Sequence, residues 1–203
     1  MLHYLYEQLL EAQISKSSVP GCVAIVLNPD DLDSRGLDMV RRLIGWSESV
    51  GIQNIALYAG EDTKEAYNRI SSELSNAHAI ISLHTKDGVT RLGTGGYVKL
   101  LISLGYGGKR EVAEAIIKLL KDVERGKIDP DDIDENTIEA SLRFSQKPDL
   151  VIRAGGRQLS DFMIWQAAYS ELYFTDVNWA SLRKIDFLRA IRDYQRRERR
   201  YGR

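Results

Sequence analysis

Residues Cys22-Val-Ala-Ile-Val-Leu27 form an unbroken apolar run dominated by β-branched side chains. A strand with one wet face alternates polar and apolar residues, so a strand without alternation has to be covered on both faces. That places the run inside a parallel sheet, whose successive strands are joined by long crossovers, usually helices. The chain supplies them. Leu37, Val40, Leu43, Ile44 and Val50 fall at helical spacing, and Gly51 is a natural stop. Ile52 to Ala59 reads as the second strand, and Asp62 or Thr63 can cap a helix reaching about Ser75. Ala79 to Leu83 and Tyr97 to Leu104 read as further strands. Val112, Ile116, Leu119, Leu120 and Val123 stripe a helix from Lys109 to Arg125, followed by Gly126. Asp134 caps a short helix to about Leu142, and Asp149 to Arg153 is a strand that runs into a glycine pair. Phe162 to Tyr169 is expected to be helical, Glu171 to Phe174 extended, and Lys184 to Arg199 a closing helix. The expected class is α/β, with a central, mostly parallel β-sheet surrounded by helices.

The chain's 203 residues suit one domain, 1–203, with an N-terminal helical extension over 1–19 and a C-terminal helix and tail over 183–203. A net charge of −1 provides no global field for nucleic acid or an anionic membrane. The single cysteine, Cys22, cannot form an internal disulfide, which suits a reducing cytoplasm. Met1 to Ile14 mixes Tyr, Glu and Gln among its leucines, unlike a signal peptide. No apolar run approaches the roughly 20 residues that span a bilayer. Any membrane contact is therefore expected to be peripheral.

Gly93-Thr94-Gly95-Gly96 and Gly105-Tyr106-Gly107-Gly108 have two readings. They could cradle an anion with backbone N–H groups, or be tight turns flanking a strand, and neither matches a nucleotide-binding fingerprint. His3, His78 and His84 lack metal-ligand spacing, and no nucleophile–base pair surrounds Cys22 or any serine. From Arg183 to Arg203 nine basic residues face three acidic ones. A solvated helix face explains most of them. A nucleic-acid module would need interleaved aromatics, which are missing. A cationic tail whose last arginine reaches a phosphate is the third reading, favoured by Gly202. Upstream, Asp149-Leu-Val-Ile-Arg153-Ala-Gly155-Gly156-Arg-Gln-Leu-Ser160 sets a guanidinium, flexible backbone and a hydroxyl around one turn. Trp165-Gln166 and Glu171-Leu-Tyr-Phe-Thr-Asp176 follow it. Such a turn can share the charge of a diphosphate.

These segments resemble the cis-prenyltransferases, the undecaprenyl and dehydrodolichyl diphosphate synthase family. Its pattern there is Asp-Leu-x-Ile-Arg-x-Gly-Gly-Glu-x-Arg-x-Ser-Asn-Phe, then Trp-Gln, then Glu-Leu-Tyr-Phe-Thr-Asp. Arg199-Arg200-Tyr201-Gly202 resembles the family's Arg-Arg-Phe-Gly ending, and Gly105-Tyr-Gly-Gly-Lys-Arg-Glu111 its Asn-Tyr-Gly-Gly-Arg segment. The resemblance implies a parallel sheet ringed by helices around a hydrophobic tunnel. It also implies condensation of isopentenyl diphosphate with an allylic diphosphate.

Active members follow the first strand with Met-Asp-Gly-Asn-x-Arg, whose aspartate serves magnesium and the allylic diphosphate. Here the aspartate position holds Asn28 and the arginine position Leu32. An amide carries no charge to offset a metal, and leucine cannot pair a phosphate. The family's Gly-His-x-x-Gly element is missing around Gly36, Gln158 stands where an arginine is expected, and the tunnel-forming stretch after Asp62 is shortened. These losses resemble those of non-catalytic, Nogo-B-receptor-type subunits of heteromeric members, whose Arg-x-Gly tail completes the isopentenyl diphosphate site of a catalytic partner. The resemblance implies that role for Arg200 and Gly202, with no intrinsic catalytic residue and Mg²⁺ held mainly by the partner. Arg153, Gly155, Gly156, Ser160 and Glu171 are retained family-site residues, either vestigial or still able to bind isopentenyl diphosphate. Two alternatives stand beside this: a self-sufficient divergent cis-prenyltransferase, and a catalytically dead homodimer that binds isoprenoid diphosphates or docks another protein.

Overall fold

The computed structural model describes residues 2–60, 62–156 and 162–197. The apolar run becomes β1 (Cys22–Val26), whose residues are all buried. It lies between β2 (Asn54–Ala59) and β6 (Leu150–Ala154), parallel to both. The remaining strands are β3 (Ile80–Thr85), β4 (Gly88–Leu92), β5 (Lys99–Leu104) and β7 (Glu171–Thr175). Together they form a seven-stranded sheet in the order β4-β3-β5-β2-β1-β6-β7, parallel except where β3 meets β4. The helices are α1 (Leu2–Ile14), α2 (Ser34–Val50), α3 (Lys64–Leu74), α4 (Gly108–Glu124), α5 (Glu135–Ser141) and α6 (Lys184–Arg196). No helix among the described residues is long and apolar enough to cross a membrane.

Alternate residues of each strand enter opposite cores. Val23, Ile25, Ile55, Leu57, Leu100 and Ile102 pack against Leu10, Leu43, Ile70 and Leu188 of the helices on one face. Ala24, Val26, Ala56 and Leu101 face the other side, where the small alanines leave room for Tyr58, Tyr106, Phe144 and Phe162. Tyr58 and Phe162 stack with ring centres 4.9 Å apart, and Phe144 meets the edges of Tyr106 and Phe162. This second face is therefore filled by packed aromatic rings.

The helix ends follow the chemistry of their caps. The Asp33 carboxylate accepts the Gly36 N–H at 2.8 Å and starts α2, and Gly51 closes it in the left-handed region. Thr63 caps α3 and Asp134 caps α5 through side-chain oxygens. Two expectations need correction. β4 was not foreseen, because its residues alternate between half-buried and exposed at the sheet edge and make no apolar run. Residues 162–169 are consecutive turns rather than a helix: Met163 sits at a φ of 51°, which breaks helical propagation.

Candidate functional site

In a parallel sheet the ligand-binding crevice lies at the carboxyl ends of the strands, where the chain order reverses direction across the sheet. Here the switch is at β1, which has β2 on one flank and β6 on the other. Asn28 follows the end of β1, and Arg153 lies opposite Val26 in β6. The two side chains meet. Arg153 Nη1 donates to the carbonyls of Val26 and Ala154, both at 3.0 Å, and Nη2 donates to Asn28 Oδ1 at 2.6 Å. A guanidinium has only donors, so the amide presents its oxygen to Arg153 and turns its nitrogen away.

Glycines hold this crevice open. A Cβ at Gly155, whose φ is 66°, would lie 2.9 Å from Asn178 Oδ1 and 3.5 Å from Asn28 Nδ2. One at Gly156 would lie 3.1 Å from Arg153 Nη2. The other lip is the 3-10 turn Pro29–Leu32. The Asp31 carboxylate accepts the Asn28 N–H at 2.7 Å, Leu32 is buried in the core, and Asp30 is exposed. Packed against the turn, Gly36 accepts a bond from Trp179 Nε1 through its carbonyl at 3.0 Å. Leu32 has thus joined the core, and the crevice carries no cation at that position.

The family implies magnesium, and the residues at the crevice do not fit it. Asn28 spends its oxygen on Arg153, and Asp31 is engaged with the turn's own backbone. Among the described residues no three His, Cys, Asp or Glu side chains gather to hold a metal ion. The amide oxygen supplies no charge to offset a divalent cation, and here it is engaged by Arg153.

Glu171 lies apart from Arg153 in the fold. It begins β7, paired with Leu150 at the amino end of β6, whereas Arg153 pairs with Phe174 near the carboxyl end. Within one chain the two do not come together. Glu171 instead receives Arg197 Nη1 at 3.0 Å, and the same nitrogen donates to the Leu172 carbonyl at 2.9 Å. Ser160, Gln158, Arg200 and Gly202 lie outside the described residues. Of the basic residues before them, Arg183 pairs with Asp186 and Lys184 with Glu11, so the helix face is cross-linked by ion pairs rather than merely solvated.

The glycine loops divide. Around Gly93 to Gly96 the N–H groups of Thr94 and Gly95 bond to the carbonyls of Ala77 and Ala79, and a Cβ at Gly93 would lie 2.1 Å from Ala79 O. That is a tight turn. Gly105 and Gly107 stand at the carboxyl end of β5, on the edge of the sheet that holds Asn28, with Gly107 capping α4. Burial pushes the Cys22 thiol up to about 12, leaving no reactive thiolate near neutral pH.

Three residues had no role assigned from sequence. Glu111 is buried and accepts the Phe144 N–H at 2.7 Å and Gln166 Nε2 at 3.2 Å, tying α4 to the 162–169 segment. Burial raises its pKa, and those donors partly offset the rise. Both residues lie in the quoted motifs, which was the available signal. Burial, then the Arg143 charge, lowers the pKa of His84 to about 4.

Comparison with known proteins adds the following. A family model described as "Putative undecaprenyl diphosphate synthase" matches residues 82–202. The tritrans,polycis-undecaprenyl-diphosphate synthase (geranylgeranyl-diphosphate specific) of Methanocaldococcus jannaschii is 32% identical over 251 residues, covering 98% of this chain and 88% of its own. The protein of the same name from Picrophilus torridus is 33% identical over 246 residues, covering 98% and 96%. Both alignments are longer than the 203 residues of this chain, so these relatives carry stretches that it lacks. In fold, the chain is similar to the crystal structure of lavandulyl diphosphate synthase from Lavandula x intermedia in complex with dimethylallyl diphosphate. That TM-score is 0.70 at 24% identity, covering 91% of this chain and 99% of that one.

Proposed function

Because this chain belongs to the cis-prenyltransferase family, we propose that it acts as the accessory, non-catalytic subunit of a heteromeric cis-prenyltransferase. The complex would extend an allylic diphosphate with isopentenyl diphosphate to a long-chain polyprenyl diphosphate. One observation carries the reading: the position that should hold a metal-serving carboxylate holds the Asn28 amide, bonded to Arg153. Ionisation of an allylic diphosphate puts charge on the departing pyrophosphate, and metal and cationic groups must stabilise it. This crevice has lost the carboxylate, and Leu32 has taken the arginine position into the core. A catalytic partner would supply both and hold most of the Mg²⁺.

What this chain would contribute is its tail, with Arg200 and Gly202 completing the partner's isopentenyl diphosphate site. The anchoring of Arg197 supports that direction. Glu171 and Leu172 hold it at the amino end of β7, at the far end of the sheet from Arg153. Tyr169, near this end, and Phe174, toward the carboxyl end of the same edge strand, are 70% and 43% exposed, as expected of a face covered by another chain. We place the complex in the cytoplasm, with at most peripheral membrane contact.

Deleting Tyr201 to Arg203 should leave binding to a co-expressed catalytic paralogue intact and lower product formation by the complex at least tenfold. Unchanged activity would reduce the tail to a helix end.

A second reading, a self-sufficient synthase, is favoured by the near-complete coverage by relatives that bear the synthase name. Turnover by the purified chain separates the two.

A further inference from the structure

Asn28 is more than an absent aspartate. Its oxygen lies 2.6 Å from Arg153 Nη2, a short charge-assisted bond, and Nη1 of the same guanidinium reaches the Val26 and Ala154 carbonyls. Acceptors from both sides of the β1/β6 crevice thus grip one side chain. Asn28 is itself fixed, because its N–H donates to the Asp31 carboxylate at 2.7 Å. Gly156 is packed so closely on the guanidinium that a Cβ would lie 3.1 Å from Nη2. A phosphate oxygen approaching Nη2 along this bond would have to displace an acceptor already fixed in place.

We propose that Asn28 is a latch, a positioning residue that occupies Arg153 and keeps this chain's own crevice from taking a diphosphate. The inference rests on the accessory reading and deepens it. It accounts for a retained Arg153 beside a lost metal ligand: the arginine now closes the crevice by joining β1 to β6. A carboxylate at the same place could have recruited a metal and, through it, a diphosphate; the uncharged amide offers a metal no charge, and its oxygen is already held by the arginine.

Titration calorimetry of the purified chain with inorganic pyrophosphate, with and without Mg²⁺, tests this without a partner or turnover. The wild-type chain should show at least tenfold weaker binding than Asn28→Ala, and adding Arg153→Lys to Asn28→Ala should remove the gain. Thermal unfolding checks that each variant is folded; if Asn28→Ala is not, Asn28→Ser is read in the same way. Tight pyrophosphate binding by the wild-type chain that Arg153→Lys abolishes would overturn the latch directly. So would a variant that binds no better than wild type. Activity of the co-expressed complex bears on the accessory reading and not on this result, so the two can fail separately.

Discussion

His84 shows how far a single side chain can depart from what its position in the sequence suggests. Buried on β3 against Phe144, 5.1 Å between ring centres, it titrates at about 4 because burial, then the Arg143 charge, disfavours its cationic form. An unfolded histidine titrates near 6.5, so between these values the unfolded chain binds more protons than the folded one. The stabilising contribution is therefore complete above about pH 6.5 and is lost as pH falls toward 4. Urea unfolding at pH 7 and pH 5 should show a loss on the order of 1–2 kcal/mol that His84→Phe abolishes. An equal loss in both proteins would assign it to other groups. At this scale the sequence was legible in part. Asn28 and Arg153 could each be singled out, but their bond could not, because 125 positions separate them and only the β1–β6 pairing brings them together.

Elements with a distinctive apolar pattern were the readable ones. β1 was visible because burial on both faces removes alternation, and α2 because Leu37, Val40, Leu43, Ile44 and Val50 are buried as one stripe. α4 forms where it was expected, but of its apolar stripe Leu119 alone is buried, Val112 and Val123 are half-buried, and Ile116 and Leu120 are exposed. β4 was not visible, since an edge strand half in solvent needs no apolar run. Residues 162–169 were misread for a different reason. Their shape follows from Met163 at a positive φ and from Gln166 reaching Glu111, and neither is a local preference. The join between α2 and the 3-10 turn before it is the tightest approach of this kind. A Cβ at Gly36 would fall 1.7 Å from the Asp31 carbonyl oxygen, so the turn or the helix would have to move. Gly36→Ala should destabilise the fold by about 2 kcal/mol or more in chemical denaturation, with loss of the Trp179–Gly36 bond. A change within about 0.5 kcal/mol would mean the turn yields freely.

For the whole molecule, sheet topology decides which residues can act together. The sequence places Arg153 and Glu171 in one continuous motif, yet β6 and β7 run parallel and put them toward opposite ends of the sheet. That separation was invisible in the motif, because spacing along a chain does not reveal which end of a strand a residue occupies. It also puts Arg197, beside Glu171, toward the opposite end of the sheet from Arg153. The most direct test is an elongation assay on the purified chain, with Mg²⁺, isopentenyl diphosphate and an allylic diphosphate, beside the same assay on its complex with a catalytic paralogue. The account predicts product from the complex and none from the chain alone. Sustained Mg²⁺-dependent elongation by the chain alone would contradict it.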